Sequence, residues 1–154
     1  MNLLFTICGR SGSKGIKNKN ISDFLDKPLA LYSLSVIDLY LKRSNYSSDI
    51  VLNTDSEELI SIFNDSNSRS VEIIRRKPKL SGDKVAKIDV VNNCLVEMEN
   101  RNNKKYDYII DLDITSPLRT VNDLENIIEE KLSSSHDLIF SVTDSRRNPY
   151  FNMV

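Results

Sequence analysis

The sequence predicts an α/β fold, a mostly parallel sheet with helices on both faces. Three observations carry this. Short apolar runs of strand type alternate with stretches whose apolar residues recur every three or four positions. The first run, Leu3-Leu4-Phe5-Thr6-Ile7-Cys8, is nearly continuous, as a strand covered on both faces requires. No internal repeat or low-complexity linker interrupts the alternation, and 154 residues suit one domain or a piece of one.

The elements follow in order. Residues 28–43 read as a helix, with Pro28 suited to its first turn and Lys42 and Arg43 to the negative end of its dipole. Asp49–Thr54 is the second strand, after which Asp55 or Ser56 can cap the segment Glu57–Phe63. Val71–Arg75 offers a third, shorter strand. Val85, Ile88, Val91, Leu95 and Met98 then mark one face of a helix that the polar residues 100–105 bring to an end. Tyr106–Ile114 gives the strongest strand signal. Thr120 to Asp123 resembles a capping box with Asp in place of Glu or Gln, and Leu124, Ile127, Ile128 and Leu132 form the apolar face behind it. Asp137–Thr143 is expected as a fifth strand. Such crossovers leave ligands at the carboxyl ends of strands, so the loops after strands one, three and four carry most weight. The last residues, Ser145–Val154, stop in an apolar, strand-like segment, and the chain is expected to be truncated at its C-terminus.

Composition narrows the chemistry. With 21 Lys+Arg against 22 Asp+Glu, a formal charge of -1 gives no whole-chain case for nucleic acid or an anionic membrane as partner. The apolar runs fall far short of the roughly 20 residues a membrane helix needs, and the first ten residues read as a strand rather than a signal peptide. Cys8 and Cys94 match neither a disulfide scaffold nor a metal motif and are expected in the core, which suits a reduced, cytoplasmic setting. His136 is the single histidine and is read as structural or solvated, so an enzyme built on this chain works through Lys, Arg, Asp and a metal ion.

Three segments can carry such chemistry. After the first strand comes Gly9-Arg-Ser-Gly-Ser-Lys-Gly15, with Lys17, Lys19 and Asn20 behind it. Its glycines allow sharp turns, and its backbone N–H groups with Arg10 and Lys14 can cradle an anion such as a triphosphate. It is neither a P-loop nor the dinucleotide fingerprint, and a flexible basic surface loop is the alternative. Asp111 and Asp113, two apart on a strand, can share one face and offer hard oxygen ligands to Mg²⁺; the alternative is a loop cap or a pairing with lysine. Thr115-Ser-Pro-Leu-Arg119 follows, its proline fixing the turn that carries Ser116. The basic run Arg75-Arg-Lys-Pro-Lys79 is either a solvated face or a second loop contacting phosphate or base.

These segments, in this order, resemble the N-acylneuraminate cytidylyltransferases, also called CMP-sialic acid synthetases. Gly9-Arg-Ser-Gly-Ser-Lys-Gly-Ile16 with Lys19-Asn20 looks like the family's A-R-x-G-S-K-G-I-x-x-K-N signature. Arg76 with Leu80 and Asp83 is similar to R-P-x-x-L-x-x-D, with the proline displaced to Pro78. Leu112-Asp-Ile-Thr-Ser-Pro-Leu-Arg119 is similar to Q-P-T-S-P-L-R, and Asn148-Pro-Tyr-Phe151 also has a family look.

The resemblance implies a Rossmann-like nucleotidyltransferase fold over residues 1–154 and a Mg²⁺-assisted reaction of CTP with an acidic nine-carbon sugar. It casts Arg10 and Lys14 as the catalytic pair that holds the triphosphate and neutralises the leaving pyrophosphate. Gly12, Ser13, Asn20 and Arg76 become further nucleotide-binding positions, and Asp113 and Ser116 substrate-binding ones. Asp113 replaces the family's usual Gln near the sugar, which suits a diacetamido nonulosonate such as legionaminate, or a metal. Lys87 stands where many members carry Ser or Thr beside the cytosine. The family's C-terminal part supplies a homodimer element, sugar contacts and a D-x-D metal site, so this chain alone is expected to be impaired or inactive. The rival readings are a nucleotide-binding or assembly module without turnover, and a nucleotidyltransferase for another sugar such as 3-deoxy-octulosonate.

Overall fold

Strand β1 (Asn2–Gly9) forms the spine of the fold, with β4 (Ser47–Thr54) paired parallel on one side and β6 (Tyr108–Asp111) parallel on the other. Strand β5 (Glu72–Arg75) adds to β4, giving a four-stranded sheet in the order β5-β4-β1-β6. The computed structural model describes residues 1–12, 18–66, 68–82 and 84–142. The chain divides into two units, Met1–Val121 and Asn122–Val154, the second described only as far as Val142.

The continuous apolar run of β1 has the predicted consequence. Successive side chains point to opposite faces, and Leu3, Leu4, Phe5 and Ile7 are all fully buried. Phe5 meets Tyr40 of helix α1 (Leu29–Leu41) on one face, ring centroids 5.8 Å apart. Leu4 faces the other way, into a cluster with Val51, Ile74, Cys94 and Met98, the last two from helix α3 (Lys87–Asn102). Helices therefore cover both faces, as the alternation required.

Helix α2 (Glu57–Asn64) starts where either Asp55 or Ser56 was expected to cap it. Ser56 is the cap: its Oγ accepts the Leu59 N–H at 3.2 Å. Pro28 lies just outside α1 rather than in its first turn, in a small hairpin that sequence reading did not register. This hairpin pairs β2 (Asp23–Phe24) with β3 (Lys27–Pro28) and is held to α1 by Tyr32, whose Oη donates to the Phe24 carbonyl at 2.5 Å.

Two further expectations need correction. The inward face of α3 is Val90, Val91, Cys94 and Met98, whereas Ile88 is 69% exposed and Val85 precedes the helix. The helix begins at Lys87, and its buried stripe lies about one residue round from the predicted line. In the second unit, the described part holds nearly all of α4 (Val121–Ser133), with Leu124 and Ile128 buried. Residues 137–142 form no strand, and Leu138, Phe140 and Val142 are exposed. Thr143, the end of the expected fifth strand, lies outside the described residues. Apolar alternation gives a segment a strand-like face, but a strand is defined by its ladder, and these residues join none among the described residues. No described helix is long and apolar enough to cross a membrane.

Candidate functional site

The chain leaves the sheet at Gly9, where a side chain would press on two buried neighbours. A Cβ there would stand 2.6 Å from Leu59 Cδ2 and 2.8 Å from Ile114 Cδ1. Gly12 then adopts φ of +69°, the left-handed region that glycine enters without penalty. The turn is fixed from several sides. Arg10 Nη1 donates to the Gly12 carbonyl at 3.4 Å, Asn20 Nδ2 donates to the Arg10 carbonyl at 3.0 Å, and the Ser11 N–H donates to Asp55 Oδ1 at 2.6 Å. Arg10, Ser11, Gly12, Asn20, Ser56 and Glu58 border a shallow cleft. Ser13 and Lys14, both expected here, lie outside the described residues.

Arg76 is 9% exposed, and its guanidinium closes on the end of β4. Nε donates to Asn53 Oδ1 at 2.7 Å and Nη2 to the Asn53 carbonyl at 3.0 Å, while the Arg76 N–H donates to the Thr54 carbonyl at 2.8 Å. Asn53 is itself fully buried and passes the grip to α3, its Nδ2 donating to Asn93 Oδ1 at 3.4 Å. The rest of the basic run is largely paired. Arg75 makes a two-point bond to Glu57, and Lys77 donates to Glu97 at 2.8 Å. Much of this run is therefore a salt-bridged surface.

Asp111 is the last residue of β6 and Asp113 lies beyond the strand, which ends short of the expected Ile114; the two still share a partner, Lys87. Its ammonium lies 2.5 Å from Asp111 Oδ2 and also bonds Asp113 Oδ1. Thr6 Oγ1 donates to the other Asp111 oxygen at 2.8 Å. Burial opposes the charge on Lys87, but the two carboxylates outweigh it and hold the ammonium above its usual pKa. A divalent ion would have to displace this lysine, so the pair does not fit Mg²⁺ in the arrangement present. Among the described residues no three His, Cys, Asp or Glu side chains converge on a point. Beyond Asp113 the chain turns back: the Ser116 N–H donates to the Asp113 carbonyl at 3.4 Å, and Ser33 of α1 donates to the same carbonyl at 3.1 Å. His136 is exposed, and its carbonyl accepts a bond from Lys131, in keeping with a structural or solvated role.

Three residues of this edge escaped the sequence reading: Asn53, Asp55 in its contact with Ser11, and Lys87 as partner of the two aspartates. The signal for the first two was present. Asn53-Thr54-Asp55 is a polar trio at the carboxyl end of a parallel strand, the place where ligands gather, but the loop after that strand received no weight.

A parallel sheet with helices on both faces and a glycine turn leaving its first strand defines an α/β protein whose ligand edge is the carboxyl end of the sheet. The chain matches the cytidylyltransferase family over residues 4–151 and belongs to it. It is 36% identical, over 99% of its length and 62% of the relative's, to post-translational flagellin modification protein B of Campylobacter coli. It is 33% identical, over the same shares, to the CMP-N,N'-diacetyllegionaminic acid synthase of Campylobacter jejuni. Among solved structures, a CMP:2-keto-3-deoxy-manno-octonic acid synthetase complexed with CTP superposes with a TM-score of 0.59 at 16% identity, covering 86% of this chain and 48% of that one. That likeness concerns the fold. The chain thus spans about three fifths of these two curated relatives.

Proposed function

We propose that the protein transfers CMP from CTP to the anomeric hydroxyl of an acidic nine-carbon sugar of the nonulosonate class. The observation that carries this is the gathering at one sheet edge of the segments that bear the resemblance: the glycine turn after β1, Arg76 beyond β5, and the Asp113–Ser116 turn beyond β6. In the reaction, the sugar's anomeric oxygen attacks the α-phosphorus, the bond from that phosphorus to the bridging oxygen breaks, and pyrophosphate leaves as the hydroxyl proton is lost. Little covalent chemistry falls to the protein, so positioning and charge neutralisation supply most of the catalysis. Arg10 and Lys14 are proposed to take the triphosphate, with the backbone N–H groups of the glycine turn. Mg²⁺ belongs to the proposal as the counter-ion of CTP, with Asp111 and Asp113 occupied by Lys87.

For the acceptor we favour a diacetamido sugar over sialic acid. Asp113 offers only hydrogen-bond acceptors, which suit amide N–H groups, and one relative is named for making a CMP-diacetyllegionaminate. The test is pyrophosphate release from CTP with legionaminate, pseudaminate, N-acetylneuraminate and 3-deoxy-octulosonate derivatives. It is run on this chain and on one extended to its relatives' length. Turnover by the longer chain that is fastest with the diacetamido sugars supports the proposal. Preference for the octulosonate, or turnover with none, overturns it. The proposal places nucleotide binding in this chain and full turnover in the longer one, so rapid synthesis by the 154 residues alone would contradict that division.

A further inference from the structure

Asp55 belongs to no element, yet it lies where three loops meet. The sheet order β5-β4-β1 sets the end of β4 between the loop that leaves β1 and the loop that leaves β5. Asp55 is the first residue after β4, and Ser56 takes the capping of α2, so the aspartate is not needed for the helix. Its Oδ1 accepts the Ser11 N–H across 44 residues of sequence, at 2.6 Å. Partial burial pushes the Asp55 carboxyl up, but the Ser11 N–H and Ser81 outweigh that and leave it below the usual carboxylate range. A charged acceptor on a backbone N–H is among the stronger hydrogen bonds a protein makes.

We propose that Asp55 is a positioning residue for the glycine-rich loop: by holding the Ser11 N–H it sets the path of Arg10, Ser11 and Gly12 before any ligand arrives. Gly12 carries a positive φ, and Arg10 Nη1 donates to the Gly12 carbonyl, within the turn itself, at 3.4 Å. Two side chains from outside the turn bond its backbone, Asn20 at the Arg10 carbonyl and Asp55 at the Ser11 N–H. Pre-ordering a loop in its bound path raises affinity by removing the entropy cost of ordering it later. The proposal rests on the nucleotide reading for what the loop binds, though not for the anchoring itself.

The experiment has two readouts on Asp55→Ala and Asp55→Asn, each first shown by circular dichroism to be folded. Amide hydrogen exchange at Ser11 needs no ligand: protection is expected in the parent chain, is lost in Asp55→Ala, and is largely kept in Asp55→Asn, whose Oδ1 still accepts. Calorimetric titration with CTP is expected to show about tenfold or greater weakening in Asp55→Ala, with Asp55→Asn within about threefold of the parent. Unchanged Ser11 exchange in Asp55→Ala overturns the proposal, and so does CTP binding that equals or exceeds the parent's. An Asn variant as defective as the Ala variant also overturns it, because charge rather than the accepted bond would then be at work. If the parent chain binds no nucleotide, the functional reading fails, while the exchange data still decide whether Asp55 anchors the loop.

Discussion

Arg76 and Asp49 show how differently two charged residues of one sheet are used. The Arg76 guanidinium is buried against Asn53, and truncation to Ala would leave a buried amide oxygen and a backbone carbonyl without their donors. Unfolding in urea is expected to show a loss of roughly 3 kcal/mol for Arg76→Ala, with Arg76→Lys recovering less than half because it lacks the planar fork. A variant that loses less than about 1 kcal/mol would mean that the grip on Asn53 carries little. Asp49 lies at the opposite end of β4, where Tyr106 Oη donates to its Oδ2 at 2.6 Å and Lys104 approaches to 2.5 Å. Partial burial raises its pKa, but Lys104 and Tyr106 outweigh that and hold it below the usual range. A carboxyl depressed in the folded state stabilises the fold above its unfolded pKa, about 3.9, and that contribution fades as pH falls through the lower folded value. The melting-temperature gap between the parent and Asp49→Asn is therefore expected at pH 7 and to narrow below about pH 4; a gap constant down to pH 3 would contradict the assignment. At this scale the sequence was a partial guide. Asp111 and Asp113 were marked as a pair, but β6 ends at Asp111, and what joins them is Lys87 at the start of α3.

Elements whose stability is local, or whose face is broad, were readable; those made by tertiary contact were not. Strands β1 and β4 and helices α1, α2 and α4 lie close to the residues that periodicity marked, since each has a long apolar face or a capping signal. The β2–β3 hairpin has two residues on each side, too few for any period to show. Its turn is also unmarked, because Leu25 and Asp26 take φ of 49° and 60° where Asn-Gly is the favoured pair. A leucine in the left-handed region is strained by about 1–2 kcal/mol, and this one is 76% exposed, so it buries little in return. Leu25→Asn is accordingly expected to raise the unfolding free energy by about 1 kcal/mol, read as an increase in melting temperature. A decrease would mean that Leu25 makes an apolar contact that outweighs the strain. Residues 137–142 failed for the opposite reason, since their pattern was clear but they form no ladder among the described residues.

For the molecule as a whole, fold class and family were legible because both rest on patterns written locally, an alternation of elements and a set of short motifs in fixed order. The site was legible by position rather than by contact. Arg10, Asn20, Arg76, Asp113 and Ser116 do come to the carboxyl edge of the sheet, yet the side chains that hold Ser11, Arg76 and Asp113 there, namely Asp55, Asn53, Lys87 and Ser33, come from elsewhere in the sequence. Their role is set by the β5-β4-β1-β6 order, which no local pattern states. The central claim is that the turn after β1 forms a nucleotide site within these 154 residues. Its most direct test is calorimetric titration of the folded chain with CTP, UTP and ATP, each with Mg²⁺. Saturable binding that prefers CTP and weakens in Arg10→Ala is the expected result, and no binding of any of the three by a sample shown to be folded would contradict the claim.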